Sequence, residues 1–109
     1  MKPQSEIIKP ESLNFIASTD VPGAQVASMD CGVCEVKIVK YPAGTQIPKH
    51  KHSGETLKAV LKGKLRFSDG DVPASVMYRC NGEFGYFGTA VEDTVVLVIQ
   101  KPGTKVTKL

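Results

Sequence analysis

Hydrophobic and polar residues alternate along most of this chain with a period of two, the repeat of extended strands whose side chains take opposite faces. Pro3 and Pro10 break the start, and the apolar patch from Leu13 to Ile16 is long enough for a brief strand. Gln25 to Met29 is a short strand candidate behind the turn sequence DVPGA. Val33 to Tyr41 puts Cys34, Val36 and Ile38 on one face and Glu35 and Lys37 on the other, which predicts a half-buried strand stopped by Pro42-Ala43-Gly44. Ile47 to His52 reads as extended. Thr56 to Leu61 groups Leu57, Ala59 and Leu61, while Lys64 to Ser68 sets Leu65 and Phe67 against Lys64 and Arg66. The Lys62-Gly63 turn between these two segments predicts a hairpin. Ser68 to Asp71 reads as a turn, Ser75 to Arg79 as a strand, Asn81-Gly82 as a hairpin turn and Phe84 to Phe87 as a short aromatic strand. Thr94 to Ile99, TVVLVI, is unbroken and apolar, which predicts a strand buried on both faces. No long window has helical periodicity, and turn signals recur roughly every 8 to 12 residues, the pattern of an all-β sandwich or barrel.

Composition narrows this further. A chain of 109 residues makes one domain, and 41% hydrophobic with 23% charged residues excludes disorder as the default. The net charge of +3 is dispersed, and only Lys101 to Lys108 is locally basic. That stretch reads as a solvated end rather than a nucleic-acid surface. No apolar run reaches the length of a membrane span, and the opening MKPQSEIIKPESLNF, with its acids and prolines, is not a secretory signal. A cytoplasmic protein is the expectation, and three cysteines, an odd count, agree with a reducing compartment. The chain divides into an arm with the first short strands over 1–29, a barrel over 30–103 and a polar tail over 104–109.

The candidate chemistry gathers between Pro42 and Phe67. His50 and His52, the two histidines of the chain, lie two residues apart on a predicted strand and so share a face. Two imidazoles there can share one metal ion, at nitrogen distances of about 2.0–2.1 Å; the competing reading is a surface pair among lysines. Cys31-Gly-Val-Cys34 could join them in a four-ligand zinc centre, although structural zinc sites space their histidines more widely. A thioredoxin-like role would need a helix after the cysteine pair, where an alternating strand follows. Cys34 and Cys80 read as small buried thiols and Cys31 as exposed. Phe84, Tyr86 and Phe87 line a pocket or serve core and dimer contacts. Lys58, Lys64 and Arg66 could meet an anionic substrate if they face inward, but their alternation with leucines favours a solvated outer face. Ser53 neighbours His52 without a third residue to make a hydrolytic triad.

The run Gly44-x5-His50-x-His52 followed by an acid and Gly63 resembles the first motif of the cupins, and EDTVVLVIQKPG is similar to the closing strand of single-domain members. The resemblance covers about residues 30 to 103 and implies a double-stranded β-helix of the RmlC-like jelly-roll type. It makes His50 and His52 metal ligands. The family's glutamate slot, counted back from Gly63, holds Thr56; Glu55 is one place early, and the preceding Ser53-Gly54 turn keeps it a candidate third ligand. No histidine follows His52. The segment GEFGYFGTAVEDT, in the position of the second motif, puts the missing ligand near Tyr86 when aligned backward and near Asp93 when aligned forward. A site of two histidines and a carboxylate resembles that of non-haem iron oxygenases and could hold Fe, Ni, Mn or Zn. The resemblance thus implies a metal-dependent enzyme of oxygenase or isomerase type acting on a small organic molecule, or else a non-catalytic ligand-binding or structural barrel with weak or no metal. It also implies a homodimer, with neither nucleic acid nor membrane as a partner.

Overall fold

Period-two alternation becomes two facing antiparallel sheets. The structure is a computed structural model, and it describes residues 5–80 and 86–109. A single 3-10 turn, Pro10–Ser12, precedes strands β1 (Ile16–Ala17), β2 (Gln25–Asp30), β3 (Glu35–Tyr41), β4 (Gln46–His52), β5 (Thr56–Lys62) and β6 (Lys64–Phe67). Then come β7 (Gly70–Pro73), β8 (Met77–Cys80), β9 (Tyr86–Ala90), β10 (Thr94–Gln100) and β11 (Val106–Lys108). One sheet runs β1-β2-β3-β10-β5-β8 and the other β11-β4-β9-β6-β7. The TVVLVI run sits as β10 in the middle of the first sheet, between β3 and β5, as its apolar character requires. Between the sheets, Val39, Val60, Val96 and Val98 meet Ile47, Leu65, Phe67 and Ala90 in the main core. The Phe67 ring stacks on Tyr78 of the opposite sheet with centroids 4.6 Å apart. Each such buried side chain contributes about 1.5–3 kcal/mol to folding.

Three expectations are corrected. The predicted β5–β6 hairpin is instead a crossing between sheets: β5 pairs with β10 and β8, whereas β6 pairs with β7 and β9. Gly63 makes that corner at φ 87°, where a Cβ would press on the Asp93 carbonyl oxygen and on Thr94. Second, the side of β5 expected to be solvated faces inward, with Lys58 buried, whereas Val36 and Ile38 of β3 are buried as expected but not in the main core. Val39 and Tyr41 of β3 and Val60 of β5 face the core. Val36 and Ile38, with Leu57, Ala59 and Leu61, take the other face of the sheet. Register carries that outer face across five strands, from Ala27 through Ile38, Leu97 and Ala59 to Met77. Third, the tail is largely exposed, as expected of a solvated end, but it also forms a strand, β11, which pairs with β4 from Val106 opposite His52 to Lys108 opposite His50. The sequence reading also missed β7, which it took for a turn. The expected Asn81-Gly82 hairpin lies outside the described residues.

Candidate functional site

The site begins on β4, whose period of two turns His50 and His52 into the space between the sheets, 7% and 8% exposed. Their rings meet edge to face, with centroids 5.3 Å apart and planes inclined by 62°. His50 Nδ1 lies 2.6 Å from the Pro48 carbonyl oxygen. A carbonyl only accepts, so Nδ1 donates the hydrogen and Nε2 keeps its lone pair. Burial, reinforced by Lys58, lowers the His52 pKa to about 3, and burial is also the main cause that lowers that of His50. Both rings are therefore neutral at ordinary pH.

The facing wall belongs to the other sheet. Lys58, on β5, is only 4% exposed, and burial brings its amine down to about 8. It pairs with Val98 of β10, which pairs on its other side with Lys37 of β3, so one row of the inner face reads Lys37, Val98, Lys58. One step along the same face is Gln100, 3% exposed, whose Nε2 donates to Glu35 Oε1 at 2.7 Å. Gln100 Oε1 is buried and meets no hydrogen-bond donor among the described residues. These groups line a cavity of about 160 Å³, closed on one side by the segment 16–21 with its carboxylate Asp20. A larger open cleft of about 480 Å³ lies elsewhere on the surface, lined by Glu11, Lys40, Lys62 and Asp93.

The remaining predicted residues do not converge here. Glu55 is exposed just before β5, and the inward position belongs to Thr56, 1% exposed, as the count from Gly63 gave it. Asp93 is exposed and accepts the Ala43 amide at 2.8 Å, a turn contact away from the cavity. Tyr86 pairs with His50 through the backbone; its side chain, and Phe84, lie outside the described residues. Phe87 is exposed. Cys31 and Cys34 close the β2–β3 turn, where the Cys31 amide donates to the Cys34 carbonyl, and Cys80 joins the main core. Among the described residues no three of His, Cys, Asp and Glu come together in a metal-binding group, which removes the zinc centre of cysteines and histidines. Sequence reasoning missed Gln100 and put Lys58 outside. Parity held the signal, because a strand that turns Thr56 inward must also turn Lys58 inward.

The described residues do not by themselves make up a full ligand set for a metal ion. His50 has the tautomer a ligand needs, but two imidazoles are half a coordination set. Asp20 lines the same cavity, but among the described residues no carboxylate joins the two imidazoles in a metal-binding group, and the Lys58 amine acts on His52 as a positive charge.

The same two-sheet arrangement occurs in solved structures. A chain in the crystal structure of Rhodobacter sphaeroides SigE in complex with the anti-sigma ChrR matches with a TM-score of 0.76 and 21% identity, over 85% of this chain and 52% of that one. A putative acetylacetone dioxygenase from Methylibium petroleiphilum PM1 gives 0.75 and 13%, over 99% and 84%. An RmlC-like cupin protein from Ralstonia eutropha JMP134 gives 0.64 and 18%, over 84% and 71%. This chain has the cupin fold. The resemblance carried by Gly44, His50, His52 and Gly63 is thereby upheld at the level of architecture. The cupin chain spans about half the length of the first of these matches. No family model matches the sequence, and no curated protein resembles it significantly. Among the described residues no helix is long and apolar enough to cross a membrane.

Proposed function

We propose that this chain is a small-molecule-binding cupin barrel, with its ligand in the cavity between the sheets and no metal ion held by the protein. One observation carries the reading. An interior that stability alone would fill with apolar side chains instead buries Lys58, Gln100, His50 and His52 around a space. The buried Gln100 Oε1 meets no hydrogen-bond donor among the described residues, and a polar atom left so beside a cavity marks a place where a ligand is met. Dioxygenases named for acetylacetone and salicylate share the fold, which supports a small organic molecule inside the barrel.

Metal analysis of untagged protein tests this first. Substoichiometric metal is expected, together with a rise in melting temperature on ligand addition and no turnover. Near-stoichiometric metal, lost in His50→Ala or His52→Ala while the fold persists, would overturn the reading in favour of a metal-dependent oxygenase or isomerase. We also propose a homodimer built on the outer face of the six-stranded sheet, where Met77 and Ile99 are exposed and Leu57, Ala59 and Leu97 are half-buried.

A further inference from the structure

The β2–β3 turn holds reactive groups that the cavity does not use. Asp30 of β2 pairs with Glu35 of β3, and one step further the Cys31 amide donates to the Cys34 carbonyl at 3.1 Å. That bond sets the two cysteines opposite one another across the hairpin, with only Gly32 and Val33 between them. Residues opposite one another on antiparallel strands turn their side chains to the same face. In a hydrogen-bonded pair their Cα atoms stand about 5.5 Å apart, inside the roughly 4.4–6.8 Å that a disulfide spans. Both thiols are free, Cys31 exposed and Cys34 half-buried. The strands behind them are locked by six paired positions, from Gln25 opposite Lys40 to Asp30 opposite Glu35, and Asp30 Oδ1 accepts the Gly32 amide at 2.7 Å. The third cysteine, Cys80, is buried on β8, three strands across the sheet from β3.

We propose that Cys31 and Cys34 form a thiol–disulfide exchange site, oxidised reversibly by low-molecular-weight disulfides. The site stands apart from the ligand-binding cavity and uses none of its residues. Cys31, the exposed member, attacks one sulfur of a small disulfide RSSR as its thiolate. The S–S bond of RSSR breaks, a mixed disulfide forms between Cys31 and R, and one thiol RSH leaves with the proton that Cys31 gave up. The Cys34 thiolate then attacks the Cys31 sulfur, which closes the Cys31–Cys34 bond and expels the second RSH with the Cys34 proton. The protein has lost two electrons and two protons, and the small disulfide has gained them. Closing so short a loop removes little chain entropy from the unfolded state. The bond is therefore no staple for the fold, and with Cys31 exposed it stays within reach of an external thiol, which reverses both steps.

Glutathione disulfide added to the untagged, fully reduced chain tests the site, read by intact mass and peptide mapping. The expected product lacks two hydrogens, carries no glutathione and maps to a Cys31–Cys34 bridge. Dithiothreitol should restore the starting mass, with the circular dichroism spectrum unchanged throughout. Cys34→Ser should stop at a stable glutathione adduct on Cys31, and Cys31→Ser should react about tenfold more slowly, because the half-buried thiol is left to make the first attack. Ring closure should run about tenfold faster in the folded chain than in concentrated urea, since the hairpin holds the second thiol beside the first. A persistent glutathione adduct on the unaltered chain, a disulfide-linked dimer, no reaction, or ring closure no faster folded than unfolded would each sink the assignment.

Discussion

Lys58 is held in a place that costs stability. Its amine falls from 10.5 in the unfolded chain to about 8 in the folded one, and at about 1.4 kcal/mol per unit the buried ammonium costs roughly 3 kcal/mol at neutral pH. Lys58→Met should therefore raise the denaturation midpoint in urea; a lower midpoint would show that the amine's contacts within the protein outweigh the cost of its burial. The histidines act at the other end of the pH scale. His52 has a folded pKa of about 3, below its unfolded 6.5, so between these values the unfolded chain binds more protons. Stability should fall as pH drops from about 6.5 toward 3, by roughly 1 kcal/mol per unit at its steepest, and His50 adds in the same direction. Urea titrations at pH 7, 5.5 and 4.5 measure the slope, and His52→Gln should flatten it.

At the level of the element, the strands were legible and their sides were not. Alternation located β3, β4, β5, β6 and β10 within a residue or two, because the period of two is a property of the backbone. It could not say which face of β5 was core, since Leu57, Ala59 and Leu61 look like an interior to any local rule. They are instead the outer face of a sheet that is apolar on both sides, and Lys58 is inside for the same reason. The pairing of β5 with β6 was misread because a glycine corner between sheets and a hairpin turn use the same residue. Glu55 is exposed because the same parity turns Thr56 inward beside it. Gly63 gives this scale its test. With φ at 87° and the Asp93–Thr94 backbone against it, Gly63→Ala should cost more than about 1 kcal/mol, measured by equilibrium unfolding. Gly44, also at positive φ but with open space around it, should cost less.

For the whole molecule, the outer face of the six-stranded sheet decides the assembly. The apolar side chains that this face leaves open on β5, β8 and β10, from Leu57 and Ala59 to Met77, Leu97 and Ile99, suit a second copy of the chain, so sedimentation should find a dimer. Leu97→Asp, at the centre of that row on β10, should give monomers with an intact spectrum. The sandwich architecture was readable from turn spacing, but the cavity was not, because it is assembled from β3, β4, β5 and β10 and closed by residues 16–21, which no local pattern links. One practical matter follows from β11. It runs alongside His50 and His52, with the Leu109 amide donating to the Lys49 carbonyl at 3.0 Å. A polyhistidine purification tag fused after Leu109 would be tethered beside the paired imidazoles and could lend them its own nitrogens, adding nickel or zinc that the untagged chain would not bind in that way.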